Sequence, residues 1–234
     1  MKPLILLFSL LFSLGLSAQI SAFPYLDSFE GGNFGGWFQP TTDDFDWSNN
    51  TGSTGSFNTG PNGASDGSNY LYREVSNPRN TGDEAIIEKD FDLTQISGTP
   101  EIVFDYHMYF NGDQTDDQLD VDVSTDGGNT WTNEFNRTGE QNSSENAPFN
   151  TARVDLSAYS SNNNVKIRFK ATLGGSPNTY DHDISLDKVK VQEQPSCLPL
   201  SNLTASTARA DSVKMEWGSA TNAGTNYELA YGSE

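Results

Sequence analysis

The sequence predicts an all-β fold, two antiparallel sheets packed as a jelly-roll sandwich, and three observations carry that reading. From Phe23 to about Val191, short runs rich in aromatic and β-branched residues alternate with clusters of Gly, Asn, Asp and Ser. Within the runs, apolar side chains recur two apart, as in Leu119, Val121 and Val123 or Val165, Ile167 and Phe169. That period buries one face of a strand and wets the other. No amphipathic helix pattern follows the N-terminal apolar segment, and many antiparallel strands in one domain of this length pack as two sheets.

Taken in order, Lys2 precedes an apolar run from Leu4 to Leu16, and Leu16-Ser17-Ala18 precedes Gln19. A positive start, a short apolar stretch and small residues before a cut predict a secretory signal peptide over 1–18. No later segment is apolar enough to cross a membrane. Strands are expected at Tyr70–Val75, Ala85–Glu88, Glu101–Phe110, Gln118–Ser124, Thr130–Phe135, Val165–Thr172 and Ile184–Val191. Gly52 to Ser68 is dominated by Gly, Ser, Asn and Thr and reads as a long surface loop with almost nothing to bury. A domain boundary is expected near Glu193–Pro199, where the composition shifts. Beyond it, Ser212–Trp217 and Tyr227–Tyr231 are strand candidates before the sequence stops at Glu234. So short a tail cannot close a sandwich of its own, and it is expected to be the start of a truncated domain.

Charge and cysteine content narrow the function. The 234 residues carry 13 Lys+Arg against 32 Asp+Glu, a formal net charge of −19. Such a surface repels phosphate backbones and anionic headgroups, which argues against nucleic acid or a membrane surface as partner. The single cysteine, Cys197, allows no intrachain disulfide and no thiolate metal cluster. Aromatic content of 12% separates the chain from an acidic disordered tail. A domain of ~170 residues buries roughly 70% of its unfolded surface, so a core alone can hold it together.

Six pieces stand in an ordered series: Phe29-Glu30 with Gly36-Trp37; Asp44-Phe45-Asp46-Trp47; Thr59-Gly60-Pro61 before Asp66; Tyr70-Leu71-Tyr72; Phe104-Asp105-Tyr106-His107-Met108; and Ile184-Ser185-Leu186-Asp187-Lys188-Val189. In that order and spacing the sequence resembles the MAM domain (meprin, A5 antigen, receptor tyrosine phosphatase mu) over residues 24–193. The resemblance implies a jelly-roll adhesion or interaction module of a secreted or cell-surface protein, with no catalysis of its own. The paired cysteines typical of animal members are absent, which points to a bacterial-type relative. Residues 197–234, with Asn202-Leu203-Thr204, Val213–Trp217 and Tyr227–Tyr231, resemble the opening of a fibronectin type III domain, with Trp217 where that fold places a core tryptophan.

The same resemblance implies a structural calcium ion, held by Glu30, Asp66 and Asp187 together with backbone carbonyls of the adjoining loop. A hard cation takes several oxygens, and clustered carboxylates call for a countercharge when partly buried. The plainer alternative has Glu30 capping a turn and Asp187 facing water. Asp122 to Gly127 half-matches a calcium loop of the EF-hand type, but its twelfth position is Asn133 and flanking helices are missing. Ser124, Asp126, Gly128, Thr130 and Trp131 fit an Asp-box hairpin, whose Asp and Ser brace a tight turn over the Trp.

No catalytic residue is expected. Asp113, Asp116, Asp117, Asp120 and Asp122 read as a solvated face that deters edge-on aggregation. His107 reads as packed, and His182 lies in an acidic loop without a partner motif. No His-Glu-x-x-His, Gly-x-Ser-x-Gly or phosphate-cradling pattern is present. Trp37 and Trp47 are expected inside and not on a sugar platform; Tyr72 and Tyr109 remain available by type. The expected function is calcium-stabilised extracellular recognition or adhesion, with an extracellular protein or glycan as partner. Two further readings stay open: the accessory part of a secreted hydrolase such as a peptidase, and a carbohydrate-binding module.

Overall fold

The computed structural model describes residues 19–75, 79–111, 116–175, 182–196, 204–208 and 213–216. The segment 1–18 expected to be a signal peptide, Asp113, Cys197, Trp217 and the expected strand at Tyr227–Tyr231 lie outside the described residues.

The main body is a two-sheet antiparallel sandwich. Strands β1 (Tyr25–Asp27), β2 (Ser48–Thr51), β3 (Asn69–Arg73), β5 (Pro100–Met108), β8 (Asn150–Asp155) and β10 (Ile184–Glu193) form one sheet in the order β2-β3-β10-β5-β8, with β1 also on β10. Strands β4 (Glu84–Phe91), β6 (Gln118–Ser124), β7 (Thr132–Thr138) and β9 (Val165–Thr172) form the other in the order β4-β9-β6-β7. A separate antiparallel pair, β11 (Thr204–Ala208) and β12 (Val213–Glu216), follows. Among the described residues no helix is long and apolar enough to cross a membrane.

The alternation read from the sequence builds the core. Val165, Ile167, Phe169 and Ala171 of β9 are buried while their neighbours are partly exposed. Phe104 from the six-stranded sheet meets Phe169 and Phe135 of the other edge-on, at 4.9 and 5.2 Å between ring centres. Trp37 and Trp47 are both packed inside, Trp47 with its ring N–H on the Ala85 carbonyl at 3.1 Å. Strands β1 and β2 carry little alternation of apolar residues; pairing with longer neighbours holds them in the sheet. In β8 the alternation is confined to Ala152 and Val154, both buried.

Two expectations need correction. The loop from Gly52 to Ser68 is polar, yet Thr54, Thr59, Gly60 and Pro61 are buried. It folds back onto the outer face of the six-stranded sheet, where Gly60 N–H and Thr59 Oγ1 both donate to the Tyr109 carbonyl at 3.0 Å. Hydrogen bonding, not apolar contact, drives that burial. Nor do the β6 carboxylates make a solvated face. Asp117, Asp120 and Asp122 are buried; Asp122 accepts from Arg168 Nε at 2.8 Å and Asp120 lies 3.5 Å from Lys170 Nζ. Asn133 Nδ2 bridges both carboxylates of β6, and Arg168 also lies 4.1 Å over the Trp131 ring. Among the described residues of that run, only Asp116 keeps the expected exposure.

Candidate functional site

The site grows from an irregularity in β10. Over Ile184–Leu186 that strand pairs with β3, and over Val189–Val191 with β1. A bulge falls between Asp187 and Lys190, with Lys188 in the left-handed region at φ 51°. Bulges redirect side chains, and this one sits where one flanking strand hands over to the other. Asp187 therefore faces a gap in the ladder that loop 65–69 fills. Its Oδ2 accepts from Ser65 N and Asp66 N, both at 2.8 Å, and its Oδ1 from Lys188 N at 2.6 Å. Asp187 is fully buried, and burial pushes its carboxyl up to about 6 against the pull of those three amides.

Glu30 reaches the same loop from the other side. It follows Phe29, which is left-handed at φ 57°, and its Oε1 accepts from Ser68 N at 2.8 Å and Asn69 N at 2.7 Å. Those two amides hold the Glu30 carboxyl below its ordinary range. Immediately before them lies Gly67 at φ 66°, where a Cβ would stand 2.5 Å from Glu30 Oε1, so only glycine fits. Asn49 closes the corner by donating to the Phe29 carbonyl and accepting from Asn69 Nδ2.

Of the three residues singled out for calcium, Glu30 and Asp187 thus converge on one loop through its backbone amides. Asp66 is part of that loop, but its carboxylate faces Lys188 Nζ at 3.7 Å. Among the described residues no three Asp, Glu, His or Cys side chains gather at metal-binding spacing. What the corner offers a hard cation is two carboxylates, one of them buried without a cationic partner at its oxygens, both facing the amides of the loop.

Beside this corner lies a groove that sequence reading missed. Asp105 stands opposite Asp187 in the β5–β10 register, on the same outer face. Its oxygens accept from Ser65 Oγ at 2.5 Å and Thr151 Oγ1 at 2.6 Å. Ser65 therefore ties the pinned loop to the floor of a cavity of about 510 Å³ between residues 61–65 and 145–149. The available signal was the outward alternation Glu101, Val103, Asp105, His107 in β5. His107 is fully buried behind the groove wall; burial lowers it to about 4, with the backbone carbonyls of Ser144 and Ala147 partly offsetting that effect.

At the β3 end of the same sheet a buried polar group closes the sandwich. Arg73 Nη2 donates to Asp117 Oδ2 at 3.3 Å and to the His182 carbonyl, and His182 Nδ1 lies 2.9 Å from Asp117 Oδ2. Burial pushes Asp117 up, but Arg73, His182 and the Gly174 amide outweigh it and hold the carboxyl below its usual range. Asp183, also fully buried, is pushed up to about 7 by burial, with the charge of Glu74 adding. In the β6–β7 hairpin, Ser124 Oγ accepts from Gly128 N at 2.9 Å and Asp126 Oδ1 from Thr130 N at 2.9 Å, the turn bracing expected of an Asp-box. The Thr130 amide and hydroxyl, with Ser124, lower Asp126 to about 2.

Comparison with known proteins follows the same lines. The K1 cleaved adhesin domain of Lys-gingipain from Porphyromonas gingivalis W83 is similar at 15% identity and a TM-score of 0.51, over 74% of this chain and all of that one. CBM27-1 of Caldicellulosiruptor saccharolyticus, solved with mannohexaose, gives 15% identity and 0.48 over 72% of this chain and 96% of its own. The CBM22-2 xylan-binding domain of Paenibacillus barcinonensis Xyn10C gives 14% and 0.44, over 73% and 99%. At 15% identity the likeness to the adhesin domain speaks to the fold alone. The family model of the MAM domain, meprin/A5/mu, matches residues 28–197, a span that takes in both sheets, the pinned loop and the groove. The chain belongs to the MAM domain family.

Proposed function

We propose that this chain is an extracellular recognition module, exported by its N-terminal segment, that binds a protein or glycan partner and catalyses nothing itself. One observation carries the reading: loops 52–68 and 139–149 are folded onto the outer face of the six-stranded sheet and fixed there. Gly60 N donates to the Tyr109 carbonyl, Gln141 N and Asn142 N to the Met108 carbonyl, and Asn62 N crosses to the Glu145 carbonyl. Loops fixed this way meet a partner with little ordering cost, and loops on a rigid scaffold are where binding residues concentrate.

Calcium belongs to the same proposal as a structural ion at the Glu30–Asp187 corner. The bonds from the loop to Glu30 fall on Oε1, which leaves Oε2 for a cation, and Asp66, now facing Lys188, lies in the same loop. When bound, the ion supplies the countercharge that buried Asp187 otherwise lacks. Residues 197–234 are read as the start of a fibronectin type III domain, supported by the antiparallel pairing of β11 and β12.

The recognition reading is tested by incubating the purified chain with peptide and glycoside substrates while measuring its retention on immobilised extracellular proteins and polysaccharides. Retention without turnover is expected. Turnover abolished by a single point substitution refutes the reading.

A further inference from the structure

We propose that the groove over Asp105 and Thr151 binds a neutral oligosaccharide; the inference rests on the recognition reading and gives it a site and a ligand class. The cavity of about 510 Å³ lies within the roughly 300–1,000 Å³ that takes small ligands. A second cavity of about 170 Å³ shares Asp105 and Thr151 and extends it past Lys188, so the ligand is more than one sugar unit long.

The walls are built before any ligand arrives. Asn62 Nδ2 donates across to Asn146 Oδ1 at 2.8 Å, and the Asn62 amide donates to the Glu145 carbonyl at 3.0 Å. Asp105 is clamped by Ser65 and Thr151, and each of its oxygens keeps lone-pair capacity for a ligand hydroxyl. Phe149 is held by His107 at 5.3 Å and by Tyr70 at 6.4 Å between ring centres, yet stays partly exposed.

A pyranose matches this set. Its adjacent hydroxyls both donate and accept, as carboxylate and amide side chains require, and its C–H face lies against an aromatic ring. Neutrality follows from the balance of charge. Asp105 and Glu145 flank the main cavity in a chain of net charge −19, while Lys188 and Lys190 line its extension, where the Lys188 ammonium already faces Asp66 at 3.7 Å. Uronate, sulfate and phosphate groups are repelled by such a field.

The test is native affinity electrophoresis of the full chain through gels containing xylan, glucomannan or mixed-linkage β-glucan, with polygalacturonate as the charged comparator. At least one neutral polymer is expected to retard the protein and polygalacturonate to leave it unmoved. Asn146→Ala and Glu145→Ala, both on the groove rim, are expected to weaken retardation by about tenfold while leaving the thermal midpoint unchanged, the effect of losing one or two ligand hydrogen bonds. Phe149→Ala adds a third reading, interpreted only if its thermal midpoint holds. The proposal is overturned if no neutral polymer retards the chain, if the rim variants are retarded like the wild type, or if polygalacturonate retards it as strongly. Retention on protein supports without any glycan retardation sinks this proposal while leaving the recognition reading standing.

Discussion

Asp183→Asn is expected to stabilise the protein at pH 8 far more than at pH 5. Asp183 is fully buried at the entry to β10, and burial raises its carboxyl from 3.8 to about 7, with Glu74 adding to the rise. A hydrogen bond from Thr54, the Val75 amide at 3.3 Å and the Arg73 charge pull the other way without offsetting this. The folded protein therefore keeps the proton up to about pH 7, whereas the unfolded chain releases it near 3.8. Between those values the folded state binds more protons, so stability falls as pH rises and the full penalty stands above pH 7. A rise of that size corresponds to about 4 kcal/mol, of which about 3 kcal/mol accrues between pH 5 and pH 8. Asparagine keeps the shape and the oxygen facing Val75 but does not titrate. Guanidinium unfolding of both proteins at the two pH values, in chelator, reads the effect. The stability difference, variant minus wild type, is expected to grow by about 3 kcal/mol from pH 5 to pH 8. His107 has the opposite sign: its value is lowered to about 4, so its contribution is lost as pH falls below 6.5. It is present in both proteins and cancels. A difference that does not change with pH refutes the assignment of that cost to Asp183.

Millimolar calcium is expected to raise the thermal midpoint of the wild type and not that of Asp187→Ala; a wild-type midpoint indifferent to chelator removes the ion from the proposal. Arg73→Met strips the cationic partner from buried Asp117 and is expected to cost about 3–5 kcal/mol in chemical unfolding. A loss under about 1 kcal/mol shows the pair to be dispensable. Gly67→Ala forces a Cβ into the Glu30 carboxylate at a left-handed position and is expected to cost about 1–3 kcal/mol. It should also open loop 52–68 to proteolysis; unchanged stability and cleavage would mean that Glu30 does not grip the loop.

Much of the sandwich was legible because its central strands repeat with period two. Gln118–Ser124 and Val165–Thr172 fall where the alternation put them, and Trp37 and Trp47 went inside as their bulk required. Edge elements left no such trace. Ser48–Thr51 is wholly polar, and its strand state comes from pairing with β3. The acidic run misled for the opposite reason. Asp120 and Asp122 look solvated in one dimension, but Lys170 and Arg168 on the next strand turn them into a buried ladder. The pairing of Glu30 and Asp187 with one loop was readable only through the family resemblance, and Asp105 carries no local signal beyond strand alternation because it sits in a motif dominated by its aromatic neighbours.

Alternation of side chains, turn chemistry and composition are local properties, so by itself the sequence determined an all-β chain, its principal strands, its packed tryptophans and its acidic character. Contacts between distant segments are not local. The bulge that turns Asp187 toward loop 65–69, the closing of Glu30 on that loop, and the groove over Asp105 exist only once β10 lies between β1, β3 and β5. Strand order and register bring those groups together, and no spacing along the chain encodes a distance across a sheet.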